Sequence, residues 1–391
     1  MSHLTIALVA AWSLCGQTPT DPPTLQSELI FPLRADHNHA PGIVATPDGT
    51  LMVSWYRGTG ERSADDVAVY GSRRRPGDAN WEEAFVMVDT PGFPDCNTCL
   101  MLDGQQRLWL FWPVILANSW ESCLTHYRVA SQFTEPGPPH WERDGEILLK
   151  PENFQAEATA SLEQMIGRWP DLIKKVEPAE LKELRTRIDS KLYQRLGWQP
   201  RCKPTVLPSG RIVLPLYSDT YSASIMALSD DGGTTWYASK PLFGWGNIQP
   251  AVLRRDDGTL VAYMRENGFH EKIRVAESRD EGLTWGPVEN SALPNPGSGL
   301  DGVRLNNGHW LLVYNDSKQD RRSLAVSIST DEGRTWTSTR HLEHADEGAY
   351  HYPAVIQDQR GTIHVVYSYF VEQGKSMKHA AFSEAWVMEG E

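Results

Sequence analysis

Six polar side chains stand at or just before the start of a recurring apolar hairpin: His39, Asn97, Lys203, Gln249, Asp301 and Tyr352. Arg265 lies at the far end of the fourth hairpin, and Arg321 and Arg322 precede the last of a set of short repeated boxes. A guanidinium pair is suited to a planar carboxylate, and a histidine beside a phenol is suited to moving protons. Such groups do chemistry only where one fold brings them together from positions more than 300 residues apart, so the elements that carry them come first.

Three segments share the spelling SxDxGxTW: SDDGGTTW at 229–236, SRDEGLTW at 278–285 and STDEGRTW at 329–336. Their tryptophans, Trp236, Trp285 and Trp336, fall 49 and 51 residues apart, a period that belongs to four-stranded propeller blades. The Asp carboxylate of each box is placed to accept turn amides, the Gly supplies positive φ and the Trp covers a hairpin, so the box reads as a fold motif rather than a catalytic one. A looser repeat accompanies the boxes, apolar strand, Gly turn, apolar strand, at 41–56, 98–112, 204–217, 250–264, 300–314 and 353–367. Six units of about 50 residues predict an all-β, six-bladed β-propeller over 27–385, whose innermost strands bring the polar ring to one axial mouth. Residues 27–33 are expected to pair with 378–382 and close the ring.

Between the second and third hairpins, residues 151–199 change period. Leu181, Leu184, Ile188, Leu192 and Leu196 fall at helical spacing after Pro178, and Gly197 ends the run. This short α-helical insertion reads as a surface elaboration burying one apolar stripe, or as a lid or docking element.

The 391 residues hold 37 Lys plus Arg against 50 Asp plus Glu, a net charge of −13 with no basic cluster, which argues against a nucleic-acid partner. Residues 4–15 are nearly all apolar but too short to span a bilayer, so residues 1–17 are expected to be a signal peptide for a secreted or periplasmic protein, although no Lys or Arg precedes Leu4; the competing reading is a buried strand. With Cys15 removed, Cys96, Cys99, Cys123 and Cys202 remain, an even number that fits disulfides. No cofactor or metal is expected, because no His, Cys and carboxylate group has ligand spacing.

The strings HAPGIVATPDGTLMVSWYRGT, IQPAVLRRDDGTLVAYMREN, LPNPGSGLDGVRL and YHYPAVIQ, in that order with the boxes, resemble the sialidase superfamily, and within it the BNR-repeat, sialidase-like proteins, over residues 35–385. The resemblance implies a glycoside hydrolase of exo-sialidase type in which three arginines hold a carboxylate, a tyrosine nucleophile is assisted by a glutamate and an aspartic acid on a first-blade loop protonates the leaving group. Residue by residue, Tyr352 falls at the nucleophile, with Tyr350 beside it, and Arg265 and Arg321 fall at the second and third arginines. His39, with His37 nearby, stands where the first arginine is expected, and Gln249 stands where the glutamate is expected. Glu61, Asp65 and Asp66 on the loop 58–66 are the candidate acids, Glu61 nearest the expected offset and Asp66 the next choice, while Glu347 is a substitute carboxylate only if its loop folds inward. Lys203, Asp301 and Asn97 complete the expected substrate-binding ring. A neutral amide at Gln249 cannot take the phenol proton, so two other readings stay open: a uronate-directed lyase or hydrolase using His39 and Tyr352, and a noncatalytic glycan-binding propeller.

Overall fold

The computed structural model describes residues 24–390 apart from residue 175; the signal peptide expected at 1–17 lies outside the described residues. Every apolar run of the repeat is a strand, and the strands form six antiparallel sheets of four or five strands. Blade 1 is His37–Ala45, Leu51–Gly58, Ala68–Arg74 and Phe85–Val88; blade 2 is Cys99–Leu102, Leu108–Ile115, Cys123–Ala130 and Arg143–Glu146. Blade 4 is Asn247–Arg254, Leu260–Glu266, Lys272–Ser278 and Glu289–Pro294; blade 5 is Asp301–Arg304, Trp310–Tyr314, Ser323–Ser329 and Ser338–His344. In blade 3 the inner strand is split into Gln199–Pro200 and Thr205–Val206, both paired with Ile212–Ser218, followed by Ala223–Ser229 and Tyr237–Ala238. Together they make the six-bladed β-propeller that the repeats predict.

Blade 6 is built from both ends of the described chain. Ala349–Gln357, Ile363–Val371 and Gly374–Phe382 are completed by Gln26–Leu29, with Gln26 opposite Ala381 and Leu29 opposite Lys378. This pairing removes two free sheet edges at once. It is fastened by Glu28, which accepts from Trp81 Nε1 at 3.2 Å, pairs with Arg74 and meets His379 Nδ1 at 3.3 Å.

The boxes hold their turns as the spelling predicts. In the first, Ser229 Oγ donates to Asp231 Oδ1 at 2.9 Å and accepts from Gly233 N at 2.8 Å, while Thr235 N and Oγ1 donate to Asp231 at 2.9 and 2.6 Å. What the box covers is the preceding blade rather than its own hairpin: Trp236 packs edge-on against Phe111, and Trp336 against Tyr263. A Cβ on Gly333 would lie 2.3 Å from Tyr263 Oη, and one on Gly233 2.3 Å from the Trp109 ring, so the glycines are required by blade contact as well as by φ.

The insertion folds as helices Phe154–Arg168, Pro170–Ile173, Pro178–Asp189 and Lys191–Arg195. The single helical run expected from Leu181 to Leu196 is broken at Ser190, whose φ −87° and ψ 122° are extended, and Leu192 is 56% exposed rather than part of the stripe. Helix Phe154–Arg168 supplies more of the buried surface, with Phe154, Ala158 and Leu162 in the core shared by blades 2 and 3. The four cysteines beyond Cys15 are buried free thiols rather than disulfides. Among the described residues no helix is long and apolar enough to cross a membrane.

Candidate functional site

The axial side chains are aimed by a shared irregularity of the inner strands. In blades 1, 4 and 6 the ladder slips between His39 and Gly42, Ile248 and Ala251, and His351 and Ala354. At each bulge one residue takes positive φ, Ala40 at 53°, Gln249 at 54° and Tyr352 at 55°, and a proline follows that has no N–H to return to the ladder. Holding a side chain there costs roughly 1 kcal/mol or more, and the bulge re-aims Gln249 and Tyr352 toward the axis. Blade 3 reaches the same result differently: its inner strand leaves the ladder between Pro200 and Thr205, and Arg201 turns into the ring.

Tyr352 is at the centre. Its phenol oxygen accepts from Arg265 Nη1 at 2.7 Å and from Gln249 Nε2 at 3.1 Å. The guanidinium carbons of Arg201, Arg265 and Arg321 lie 5.1, 5.9 and 5.7 Å from its ring centroid. Arg201 donates from Nη2 to Pro353 O at 2.6 Å and Arg321 from Nη2 to Gly297 O at 2.8 Å; Arg201 Nε and Arg265 Nε are buried without a hydrogen-bond partner. Among the described residues none of the three forms an ion pair with a carboxylate. Burial foremost, with the Arg265 charge adding to it, pushes the Arg321 guanidinium below its usual range. Three guanidiniums with no carboxylate ion pair among the described residues, on which the Asp219 and Glu61 charges act without direct contact, make an anion-accepting pocket.

Two buried imidazoles complete the wall. The His39 ring lies 4.2 Å from that of Tyr352 and 4.8 Å from that of His351, and its Nδ1 is 2.8 Å from Ser368 Oγ, which also accepts from Ala40 N at 3.2 Å. Burial, then the surrounding histidine and arginine charges, holds both His39 and His351 well below the usual histidine value, so both are neutral at neutral pH. His351 Nδ1 has no partner among the described residues.

The first-blade carboxylates separate by role. Glu61 accepts from Tyr56 Oη at 2.8 Å and lies 3.3 Å from His37 Nε2; burial raises its pKa, but those hydrogen bonds and the His37 and Arg62 charges outweigh it and leave it lowered. Asp66 is taken up in bracing the loop, accepting from Thr59 N at 3.1 Å and Thr59 Oγ1 at 2.9 Å, and Asp65 accepts from Asn118 Nδ2 at 2.7 Å. Glu347 is exposed. The carboxyl that the sequence reading passes over is Asp219, just beyond the second strand of blade 3. It accepts from Gln199 Nε2 at 2.9 Å, and burial raises its pKa against the opposing charges of Arg265 and Arg62.

Asn97 joins the site through a network, donating to Gln199 Oε1 at 2.8 Å and to Tyr217 Oη at 3.1 Å, which also accepts from Gln249 Nε2 at 3.2 Å. Lys203 and Asp301 are spent on each other at 2.7 Å, and Asp301 also accepts from Val355 N at 2.9 Å. They line a cavity of only about 10 Å³ with Gly42 and Leu100, farther along the inner strands than Tyr352. The chain therefore brings together His39, Gln249, Arg265, Arg321 and Tyr352, links Asn97 to Gln249 through Tyr217, sets Glu61 behind Tyr56 and His37, and keeps Lys203, Asp301 and Asp66 in structural ties. Arg201 is hidden from the hairpin pattern because Pro204, not Arg201, opens the third repeat; the signal that would have found it is the run Arg201-Cys202-Lys203-Pro204, too irregular for an inner strand. Among the described residues no group of three or more His, Cys, Asp and Glu is placed to hold a metal ion.

Residues 198–365 match the family model of the BNR repeat-like domain. No curated protein sequence matches the chain. A Dyadobacter fermentans protein of unknown function superposes with a TM-score of 0.69 at 15% identity, over 92% of this chain and 99% of that one. The Hadza microbial sialidase Hz136 gives 0.67 at 16% identity, over 90% and 66%. The leech intramolecular trans-sialidase, complexed with 2,7-anhydro-Neu5Ac, gives 0.69 at 11% identity, over 93% and 71%. Six blades closed by a shared last sheet, with an axial mouth, define a sialidase-like β-propeller. The fold is shared with these sialidases, and the BNR repeat-like match is confined to residues 198–365.

Proposed function

We propose that this protein is an exported glycoside hydrolase of sialidase type that releases a carboxylate-bearing sugar from the end of a glycan. The observation that carries the reading is the gathering of Arg201, Arg265 and Arg321 around Tyr352 with no carboxylate ion pair. A substrate carboxylate supplies the missing counter-charge through bidentate bonds, where a neutral sugar leaves the guanidiniums unpaired. Export rests on the apolar residues 4–15.

In this reading the Tyr352 oxygen attacks the anomeric carbon as the glycosidic C–O bond breaks. The phenol proton passes to the neutral imidazole of His39, since Gln249 and Arg265 only donate to that oxygen. Asp219, whose burial favours its protonated form, gives its proton to the leaving oxygen. Water then attacks the glycosyl–tyrosine bond, returning one proton to Asp219, and the imidazole proton goes back to Tyr352, with retention at the anomeric carbon. Glu61, held ionised, keeps His37 and Tyr56 in place beside the mouth.

The packing of the His39 ring on that of Tyr352, with centroids 4.2 Å apart, also favours a second reading, β-elimination on a uronate with the imidazole as base and the phenol as acid. Mass spectrometry of products from sialosides, other ulosonic acid glycosides and uronate polysaccharides separates the two. Hydrolysis adds a water across the broken bond, and elimination yields an unsaturated product lighter by that water. Tyr352→Phe is expected to abolish turnover while keeping ligand affinity; binding without turnover in the unaltered protein would leave a glycan-binding propeller instead.

A further inference from the structure

We infer that a single buried water beneath the arginine ring bridges Arg201 Nε to Asp301 Oδ1, and that Asp301 is thereby a positioning residue for Arg201. The inference goes beyond the proposed function and holds whichever ligand the ring accepts. It starts from two buried polar atoms. Arg201, 1% exposed, donates from Nη2 to Pro353 O at 2.6 Å, while its Nε–H meets no acceptor among the described residues. Asp301, 2% exposed, accepts from Lys203 Nζ at 2.7 Å and from Val355 N at 2.9 Å, both on Oδ2, while Oδ1 meets no donor among the described residues. A buried donor and a buried acceptor left unmade are both costly, the more so on charged groups.

The two residues border one small space. Arg201, Lys203 and Asp301 all line the cavity of about 10 Å³, which has room for one water and no more. Two thiols bordering this space feel the same three charges: burial foremost raises the Cys99 and Cys202 pKa values, with Asp301 adding to it and Arg201 and Lys203 opposing. The walls also select the occupant. Arg201 and Lys203 repel a cation, and the Asp301 carboxylate repels an anion. What fits is a neutral molecule that accepts from the guanidinium and donates to the carboxylate, and at this size it is water. The bridge matters because Arg201 sits where the inner strand of blade 3 leaves its ladder, between Pro200 and Thr205, so no ladder bond fixes it. With Nη2 on Pro353 O and Nε on the water, the guanidinium is held on two sides, its carbon 5.1 Å from the Tyr352 ring centroid. Lys203 anchors Asp301 in turn and donates to Gly302 O at 2.7 Å, so the bridge ties blade 3 to blades 5 and 6.

The test begins with the unaltered full chain. A crystal structure that resolves ordered waters is expected to show one peak within hydrogen-bond distance of both Arg201 Nε and Asp301 Oδ1, with no anomalous signal there after soaking in rubidium or bromide salts. An empty cavity, a direct Arg201–Asp301 contact or a heavy-ion peak would overturn the inference. The positioning role is read from solvent exchange of the Arg201 Nε–H proton, followed by ¹⁵N NMR and assigned by its loss in Arg201→Lys. In Asp301→Asn the amide oxygen stays on Lys203 and Val355 N, and its NH2 group faces the water, which is left without an acceptor. Exchange of the Arg201 proton is expected to speed up by about tenfold or more, while backbone amides of blade 5 keep their protection. An unchanged Arg201 rate, or an equal loss of protection throughout blade 5, would overturn the positioning role. The crystallographic result decides the water whether or not this variant folds.

Discussion

The side-chain amide of Gln249 donates to the phenol oxygen of Tyr352 at 3.1 Å, two bulge residues of matching φ facing one another across the axis. The amide's other atom, Oε1, is buried with no partner. A carboxylate in its place would accept the phenol proton directly. Gln249→Glu is therefore expected to raise kcat by about 100-fold on an activated aryl glycoside of the acidic sugar, at the lower end of what a positioned base contributes. Stopped-flow or steady-state assay checks this, and an unchanged or lower kcat would show that proton removal from Tyr352 does not limit the rate.

Asp219 supplies a pH prediction. A general acid works only while protonated, and burial raises this carboxyl above the ordinary aspartate value of 3.8. Activity on glycosides with poor leaving groups should fall as pH rises through that elevated pKa. Asp219→Asn should remove this limb and cut kcat by about 100-fold on such substrates, with a much smaller loss on aryl glycosides whose leaving group needs no proton. Equal losses on both classes would assign Asp219 to structure.

The closure of the ring is expected to weaken in acid. His364 Nδ1 and His379 Nε2 lie 3.0 Å apart, and His364 Nε2 is 3.4 Å from Asp358. Burial, then the His379 charge, pushes His364 down to about 4, and burial lowers His379 against the opposing influence of Glu28. Between about pH 6.5 and pH 4 the unfolded chain binds more protons than the folded one, so stability rises with pH across that window. Urea midpoints measured from pH 7 down to pH 4 should report a loss on the order of 3 kcal/mol, and His364→Gln should flatten the slope.

The boxes carry a stability prediction with an internal control. Gly333 has φ 81° and a Cβ there meets Tyr263 Oη at 2.3 Å and the Trp310 ring at 2.7 Å, whereas Gly210, at φ 90°, has open space around it. Gly333→Ala should cost about 3 kcal/mol or more from overpacking added to strain, and Gly210→Ala only about 1 kcal/mol from strain. Chemical denaturation of both variants measures the difference.

Trp236, Trp285 and Trp336 at a near-constant interval, and six hairpins of one pattern, were enough to read the ring from the chain, because each blade is a local unit whose strands are neighbours in sequence. The same periodicity led to Gln249, Arg265, Arg321 and Tyr352 as axial residues. It failed at the third blade, where the ladder break that turns Arg201 inward has no periodic signature, and it could not tell Lys203 and Asp301, which neutralise each other, from groups left unpaired. The helical spacing of the insertion was likewise legible, but its break at Ser190 was not, since a serine at the N-cap of Lys191–Arg195 interrupts the helix without disturbing the apolar spacing on either side.

By itself, then, the sequence determined the number of blades, the boxes that brace them and the pair of ends that closes them, all consequences of short-range patterning. Which charges remain without counter-charge was decided only in the folded chain. Pairing among Arg201, Arg265, Arg321, Asp219 and Glu61 depends on ångström-scale distances between blades, and those are set by bulges and inter-blade packing that no single repeat contains.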